Sequence, residues 1–286
     1  PTTDINATTV AALKDVKATD EITFKPTTDT DLVGNAEINA LISLNKILSK
    51  KDWSNIATIK GTANDVSIIK QALAIAKNPA LTVEITAGII SAEDANAIAK
   101  LAGGALTATI KDGSVAATLK ALSDVKTGDV LTFKTTDTTV KATDLVALDL
   151  KIANGTYTSI KTITADAKDV SSVSDALAVA NGADVTITGT ITAAQANKIA
   201  ADTNAGTGVL TATVEADTAA NLVTRLANTT PTDMLTLGVN GTTATAANLN
   251  TLVTKTGGKI KLDATEVTGD VAGLTALYVT NKASFT

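Results

Sequence analysis

A short strand-like run recurs about every 25 residues along this chain of 286 residues. Seven of the nine intervals between successive runs are 25 residues, and the two longer intervals, of 34 and 29 residues, follow Ile22 and Leu131. A fixed period of this size is typical of a solenoid, in which one supersecondary unit stacks on copies of itself. The ten runs begin at Ile22, Ile56, Leu81, Leu106, Leu131, Ile160, Val185, Leu210, Leu235 and Ile260.

Each repeat, which we call a coil, combines a strand with a short helix. The run LTVEIT from Leu81 alternates apolar and polar residues, as a half-buried strand does. Ser91 and Asp94 then form a start typical of a capped helix, and we expect Gly103 and Gly104 to end that helix in a left-handed conformation. Because each strand returns through a helix, successive strands are predicted to pair in parallel.

The same alternation predicts which strand residues face the core. In the matched runs LTATI and LTATV, the threonines at the second position are expected on the outer face. The residues expected in the core are Leu106, Ala108, Ile110, Leu210, Ala212 and Val214, and those expected outside are Thr107 and Thr211.

A longer repeat of four coils lies above the single coil. Residues 56–130 resemble residues 160–234 at an offset of 104 residues. We therefore expect an α/β fold: one elongated solenoid over residues 1–286, with about eleven coils forming one parallel sheet backed by helices. Its parts would be a leading partial coil (1–21), two four-coil blocks (22–130 and 131–234), and two coils of a third block with a C-terminal tail (235–286).

Composition excludes several classes of function. The chain has no histidine and no cysteine, which removes the side chain that titrates near neutral pH and every thiolate nucleophile or thiolate metal ligand. The net charge of −5 argues against nucleic acid and anionic lipid as partners. No apolar run is long enough to span a membrane. Since no nucleotide-binding or hydrolase motif appears either, we expect neither an enzyme nor a bound cofactor.

Calcium is the one ligand that the turns suggest. Acidic residues cluster in several turns, and carboxylates in such turns are calcium ligands. Turns and helix starts also use aspartate for capping, so the pattern serves either purpose. If calcium binds, we expect it at contacts between copies of the chain. The residues concerned are Asp29, Asp31, Asp112, Asp124 and Asp137.

Four aromatic residues are candidate contacts with neighbouring subunits. Trp53 and Tyr157 occupy the two inserts, each three residues before the next strand, and Tyr278 and Phe285 lie in the C-terminal run ALYVTNKASFT. Exposed aromatics often anchor interfaces. The alternative for Trp53 and Tyr157 is a lid over the helix of their own coil. Phe285 follows Ile260 by 25 residues, where a further strand would begin.

The runs LTATVEADTAANLVTRL and IKLDATEVTGDVAGLTALY resemble the Thr/Ala-rich tandem repeats of giant bacterial cell-surface proteins, especially those of cyanobacteria. The resemblance implies a secreted structural protein at the bacterial cell surface, forming a fibre, a surface layer or the stalk of an adhesin. We expect self-association end to end. The geometry also resembles that of leucine-rich repeats, without their asparagine ladder, which implies an alternative: an extracellular module that binds a protein or a surface glycan.

Overall fold

The computed structural model describes residues 4–17, 19–26 and 30–286, in which strands and helices alternate along the chain. Every one of the ten predicted runs contains or adjoins a strand, so the α/β class is confirmed. The strands are β1 (Thr23–Phe24), β2 (Thr30–Val33), β3 (Lys50–Lys51), β4 (Ile56–Thr62), β5 (Thr82–Ala87), β6 (Leu106–Thr109), β7 (Val130–Lys134), β8 (Thr139–Lys141), β9 (Asn154–Thr156), β10 (Thr162–Asp166), β11 (Asp184–Ile191), β12 (Leu210–Val214), β13 (Met234–Val239), β14 (Thr243–Thr245), β15 (Ile260–Leu262) and β16 (Glu266–Thr268).

The helices are short, and most begin at a serine, threonine or asparagine cap. Ser91 accepts a hydrogen bond from the Asp94 N–H at 3.0 Å, as the sequence predicts. The α-helices are α1 (Ala7–Ala12), α2 (Gly34–Ile47), α3 (Val66–Ala76), α4 (Ala92–Leu101), α5 (Val115–Ala121), α6 (Ala142–Asp149), α7 (Val173–Val179), α8 (Ala193–Ala205), α9 (Ala219–Arg225), α10 (Ala246–Val253) and α11 (Val271–Thr275). Short 3₁₀ or π-helical segments cover Ala63–Asp65, Ala167–Ser172, Ala276–Thr280 and Lys282–Ser284.

Contacts divide the chain into two compact units, one of residues 1–136 and 147–156 and the other of residues 137–146 and 157–286. The first unit holds a six-stranded parallel sheet in the order β2-β4-β5-β6-β7-β9. The second holds a six-stranded parallel sheet in the order β8-β10-β11-β12-β13-β15. The parallel pairing of successive strands is confirmed. The prediction that all strands form one sheet is wrong, because β7 and β8 belong to different sheets.

The division arises from how each block begins. The first coil of a block contains two strands in place of one, and each pairs with its own partner in the next coil. Thus β1 pairs with β3 while β2 pairs with β4, and β7 pairs with β9 while β8 pairs with β10. Within the third block, β13 pairs with β15 and β14 with β16. At each block start, the two strands of one coil therefore belong to two different ladders.

Two of the predicted runs differ from the others for this reason. The run at Ile22 forms β1, which pairs with β3 and not with the strand that begins at Ile56. The run at Ile260 forms β15, which pairs with β13 in the way that β9 pairs with β7. By its pairing, Ile260 thus corresponds to the insert strand before Ile160, and a separate strand, β16, follows it.

The core follows the predicted alternation. All six strand residues expected in the core are buried, and Thr107 and Thr211 are exposed. The outer threonines also contact one another across the ladder: the Thr82 hydroxyl lies 3.2 Å from that of Thr58. Small and β-branched side chains fill the layer between sheet and helices, and Phe133 is an aromatic residue that is fully buried in this layer.

The glycines after α4 have a different role from the one expected. The helix ends at Ala102 with extended backbone angles, and neither Gly103 nor Gly104 adopts the left-handed conformation. A Cβ atom at Gly103 would overlap the backbone carbonyl of Pro79 in the preceding coil, and one at Gly104 would lie 2.6 Å from the carbonyl oxygen of Ala80. Glycine is required here because two backbones approach closely.

Replacing Leu210 with alanine should lower the free energy of unfolding by about 2–5 kcal/mol, because it leaves a cavity in a closed layer. Leu210 is fully buried at the start of β12. Urea unfolding followed by circular dichroism measures the change. The neighbouring Thr211→Ala variant on the outer face is the control and should change stability by about 0.5 kcal/mol or less. Equal effects of the two variants would contradict the assigned faces.

Gly103→Ala should destabilise the protein through the overlap with Pro79, and we expect a loss of about 1–3 kcal/mol. Gly113→Ala is the matched control, because a Cβ atom there has its nearest neighbour at 3.5 Å and the backbone is not left-handed. Thermal unfolding of the two variants and the parent chain provides the comparison. A Gly103→Ala protein as stable as the Gly113→Ala protein would show that the coils are not so closely spaced.

Candidate functional site

Trp53 is buried within the first unit. It lies between β3 and β4, with 5% of its surface exposed, and its indole N–H donates a hydrogen bond of 3.0 Å to the side-chain oxygen of Asn45 on α2. Its ring centroid is 5.5 Å from that of Phe24. Trp53 therefore packs against the helix of its own coil. In the same turn, Asp52 accepts a hydrogen bond from Lys25 at 2.7 Å, which holds the pKa of that carboxyl well below its usual range.

Tyr157 occupies the equivalent turn in the second block, and it belongs to the second unit. The Ile160 N–H donates to the Tyr157 carbonyl at 3.1 Å, as the Ile56 N–H donates to the Trp53 carbonyl at 3.1 Å. The side chain of Tyr157 is also buried. Trp53 thus packs within its own unit, and Tyr157 is buried at the equivalent position of the second block. Contact with a neighbouring subunit stays a prediction.

The two C-terminal aromatics are in a different environment. Tyr278 is 67% exposed in the π-helical segment, beside Val279, which is 76% exposed. Phe285 is half-buried and forms a parallel bridge with Ile260, and the Thr286 N–H donates to the Ile260 carbonyl at 3.0 Å. The chain therefore forms a single parallel bridge beside β15 at the place where the 25-residue period predicts a further strand.

A polar groove of about 290 Å³ lies in the second unit where β8 and β10 end, beside Thr188 in the middle of β11. Two lysines and three aspartates line it together with threonines, and no aromatic residue takes part. Its charged residues are Lys141, Asp144, Asp166, Lys168 and Asp169. The mixture of both charges is suited to hydroxyl-rich or zwitterionic molecules rather than to apolar ones.

The acidic side chains that the structure describes do not converge on a metal site. Throughout residues 4–17, 19–26 and 30–286, no group of three or more acidic side chains is arranged to hold a metal ion. Asp31 lies 4.0 Å from Lys60, and Asp124 binds Asn96. Asp29 lies outside the described residues. Calcium between copies of the chain stays a prediction.

Three side chains in the loop after α5 bind the preceding coil. Asp124 accepts a hydrogen bond from the Asn96 amide of α4 at 2.9 Å. Lys126 donates to the carbonyl of Ala102, just beyond the end of α4, at 2.5 Å. Asp129 is buried and accepts from two N–H groups, Lys126 at 2.8 Å in its own turn and Leu106 at 2.7 Å at the start of β6. The loop thereby closes the open end of one coil.

The second block repeats this arrangement. The Asn228 N–H donates to Asn197 on α8 at 2.7 Å, as the Asp124 N–H donates to Asn96 at 2.6 Å. Asp233 is fully buried and accepts from Thr230 N–H at 2.9 Å and from Leu210 N–H at 3.0 Å. In both blocks, an aspartate thus binds two backbone N–H groups at once, one in its own turn and one at the start of the strand before it (β6 for Asp129, β12 for Asp233). This role of the aspartate was not predicted, although Asp129 and Asp233 recur at the block period of 104 residues, which is the signal for it in the sequence.

Asp65 links two helices in the first unit. It forms a capping box with Thr62, whose N–H lies 2.8 Å away, and accepts a hydrogen bond of 3.0 Å from the Asn35 amide on α2. The Asn35 amide, followed by the Thr62 N–H, lowers the pKa of Asp65, and burial opposes this only in part. The ionised carboxylate is the form that the structure binds.

No protein-family model matches the chain, and a comparison with curated proteins gives no match either. Among the described residues, no helix combines the length and apolar character needed to cross a membrane. The resemblance to bacterial surface repeats therefore stays an expectation from the sequence.

Asp65→Asn should lower the free energy of unfolding at neutral pH by about 1–2 kcal/mol, since an amide nitrogen would face hydrogen-bond donors. Because the folded pKa is lowered, the carboxylate stabilises the parent chain above the unfolded pKa of about 3.9, and this contribution disappears as pH falls through the folded value. The difference between parent and variant should therefore shrink below about pH 4.

The matched control is Asp169→Asn at the equivalent position of the second block. In the described part of the chain, the Asp169 carboxylate accepts no hydrogen bond, so we expect a change of about 0.5 kcal/mol or less. Urea unfolding across a pH series measures all three proteins. A difference between the parent chain and Asp65→Asn that persists unchanged in acid would contradict the role of ionised Asp65.

Proposed function

We propose that this protein is a secreted bacterial structural protein whose copies associate end to end into an extracellular fibre or surface layer, or which forms the stalk of a larger adhesin. The observation that carries the proposal is the repetition of coil-to-coil contacts. Asp129 and Asp233 join neighbouring coils in the same way in the two units. Contacts that one coil can make with any similar coil suit a chain that extends by stacking.

The open strand edge gives this proposal its physical basis. A parallel sheet exposes unpaired N–H and C=O groups at its edges, and these groups seek a further strand. Phe285 and Thr286 already continue the ladder beyond β15. We also propose that the coils continue as one solenoid over the whole chain. The support for this is that all three block starts show the same pairing pattern.

The proposal places the protein at the cell surface and gives it no catalytic role. A lack of histidine and cysteine throughout the sequence supports the second point. The resemblance to Thr/Ala-rich surface repeats supports the first. One observation favours the alternative of a binding module: the polar groove around Lys141 and Asp166 offers hydrogen-bonding groups that a surface glycan would need.

Electron microscopy of the purified full chain tests the proposal. We expect ordered fibres or sheets over a range of salt and calcium concentrations, because stacked coils repeat one interface. Light scattering on the same samples follows the growth of the assemblies. Dispersed single particles under every condition would contradict the assembly proposal and favour the glycan-binding alternative.

A further inference from the structure

We propose that the polar groove of the second unit binds an amino sugar, a small hydroxyl-rich molecule that carries an ammonium group. The groove has a volume of about 290 Å³ and lies beside the ends of β8 and β10. All of its lining residues belong to the second unit, so binding does not depend on the assembly of copies. An amino sugar would be the ligand of the binding-module alternative.

Two paired strands position the charged groups of the groove. Lys141 is the last residue of β8, and Asp166 is the last residue of β10, with which β8 pairs in parallel. Lys168 and Asp169 follow in the 3₁₀ segment that leads into α7. Because the ladder fixes the backbone on both sides of the groove, the points from which these side chains extend are fixed as well.

The described part of the chain leaves these four side chains unpaired. Among the described residues, Lys141 and Lys168 form no ion pair with Asp166 or Asp169, although all four line the same groove. Asp166 stands at the start of the 3₁₀ segment, and its side chain makes no capping hydrogen bond there. Charges of both signs that the fold does not pair can bind a ligand that offers both donors and acceptors.

The equivalent place in the first block is closed by contacts within the chain. There Lys60 of β4 lies 3.3 Å from Glu84 of β5, and Asp65 accepts a hydrogen bond of 3.0 Å from Asn35. In the second block, threonines stand at the positions equivalent to Lys60 and Asn35. The second block forms the same parallel ladder without these contacts, so the charges around its groove are not needed for the fold.

The groups that line the groove define the chemistry of the ligand. With Asp144, three carboxylates face two lysines, and the net negative charge favours a ligand with a cationic group. The three carboxylates are not arranged to hold a metal ion, which leaves an ammonium group as the cation. Lysines and threonines can bind hydroxyl groups, and the lining residues include no aromatic ring on which a ligand could stack. The small volume suits a small ligand.

Saturation-transfer NMR on the full chain tests the proposal with three small molecules: glucosamine, glucose and methylammonium. The signals come from the ligand, so the measurement works whether or not copies of the chain assemble. We expect glucosamine to bind about tenfold or more tightly than either of the others, because it alone combines the charged contact with the hydroxyl contacts.

Variants of the full chain locate the site. Asp166→Asn and Asp169→Asn should each weaken glucosamine binding about tenfold, since each removes a carboxylate that would bind the ammonium group. The control is Asp112→Asn, which removes the same charge from an exposed loop of the first unit and should leave binding unchanged. Thermal unfolding confirms that each variant is folded.

Glucosamine binding that is equal in the parent, Asp166→Asn and Asp169→Asn proteins overturns this site. Methylammonium that binds as tightly as glucosamine shows attraction by charge alone and overturns the amino sugar as ligand, and glucose that binds as tightly does the same. A parent chain that assembles but binds no glucosamine overturns the site and leaves the proposed function standing. A parent chain that binds glucosamine without assembling supports the site and contradicts the proposed assembly.

Discussion

Close backbone contact between neighbouring coils is the constraint on which the rest of the structure depends. The parallel ladders are short, with three paired residues between β6 and β7. Neighbouring coils therefore also need close contact between the turns that flank their strands. The close fit is visible at Gly103, where a side chain would strike the Pro79 carbonyl, and at Gly258, where one would strike the Leu235 carbonyl. The core between sheet and helices can then be a single layer of small and β-branched side chains.

Buried polar groups complete this contact at the strand starts. Asp129 and Asp233 each satisfy the first N–H of a neighbouring strand, and in the following coil Thr256 takes the same role for Leu235 at 2.8 Å. A carboxylate and a hydroxyl thus serve one purpose, because both accept a hydrogen bond from a backbone N–H. What the coils share is an acceptor at one place rather than one residue type.

Much of the fold was predictable because its signals are local. Alternation placed Leu106 and Leu210 in the core and Thr107 and Thr211 outside, and the cap at Ser91 marked the start of α4. The short strands β2, β8 and β14 were not predicted, because three or four residues carry no clear period. The role of Gly103 was misassigned since it depends on Pro79, a residue of another coil. The same limit hid the caps at Asp129 and Asp233, whose partners lie one coil away.

The first coil of each block shows where this architecture accepts added length. α2 has 14 residues, whereas α6 and α10 have eight each, yet β2, β8 and β14 pair with the next coil in the same parallel manner. The difference is between one and two helical turns. Because a helix on the outside of a coil can lengthen without shifting the ladder, each block has one site at which sequence can be gained or lost while the spacing of the strands is kept. Among proteins of this architecture, we then expect differences in sequence length to concentrate in the helices at block starts. The strands of the sheet should change least.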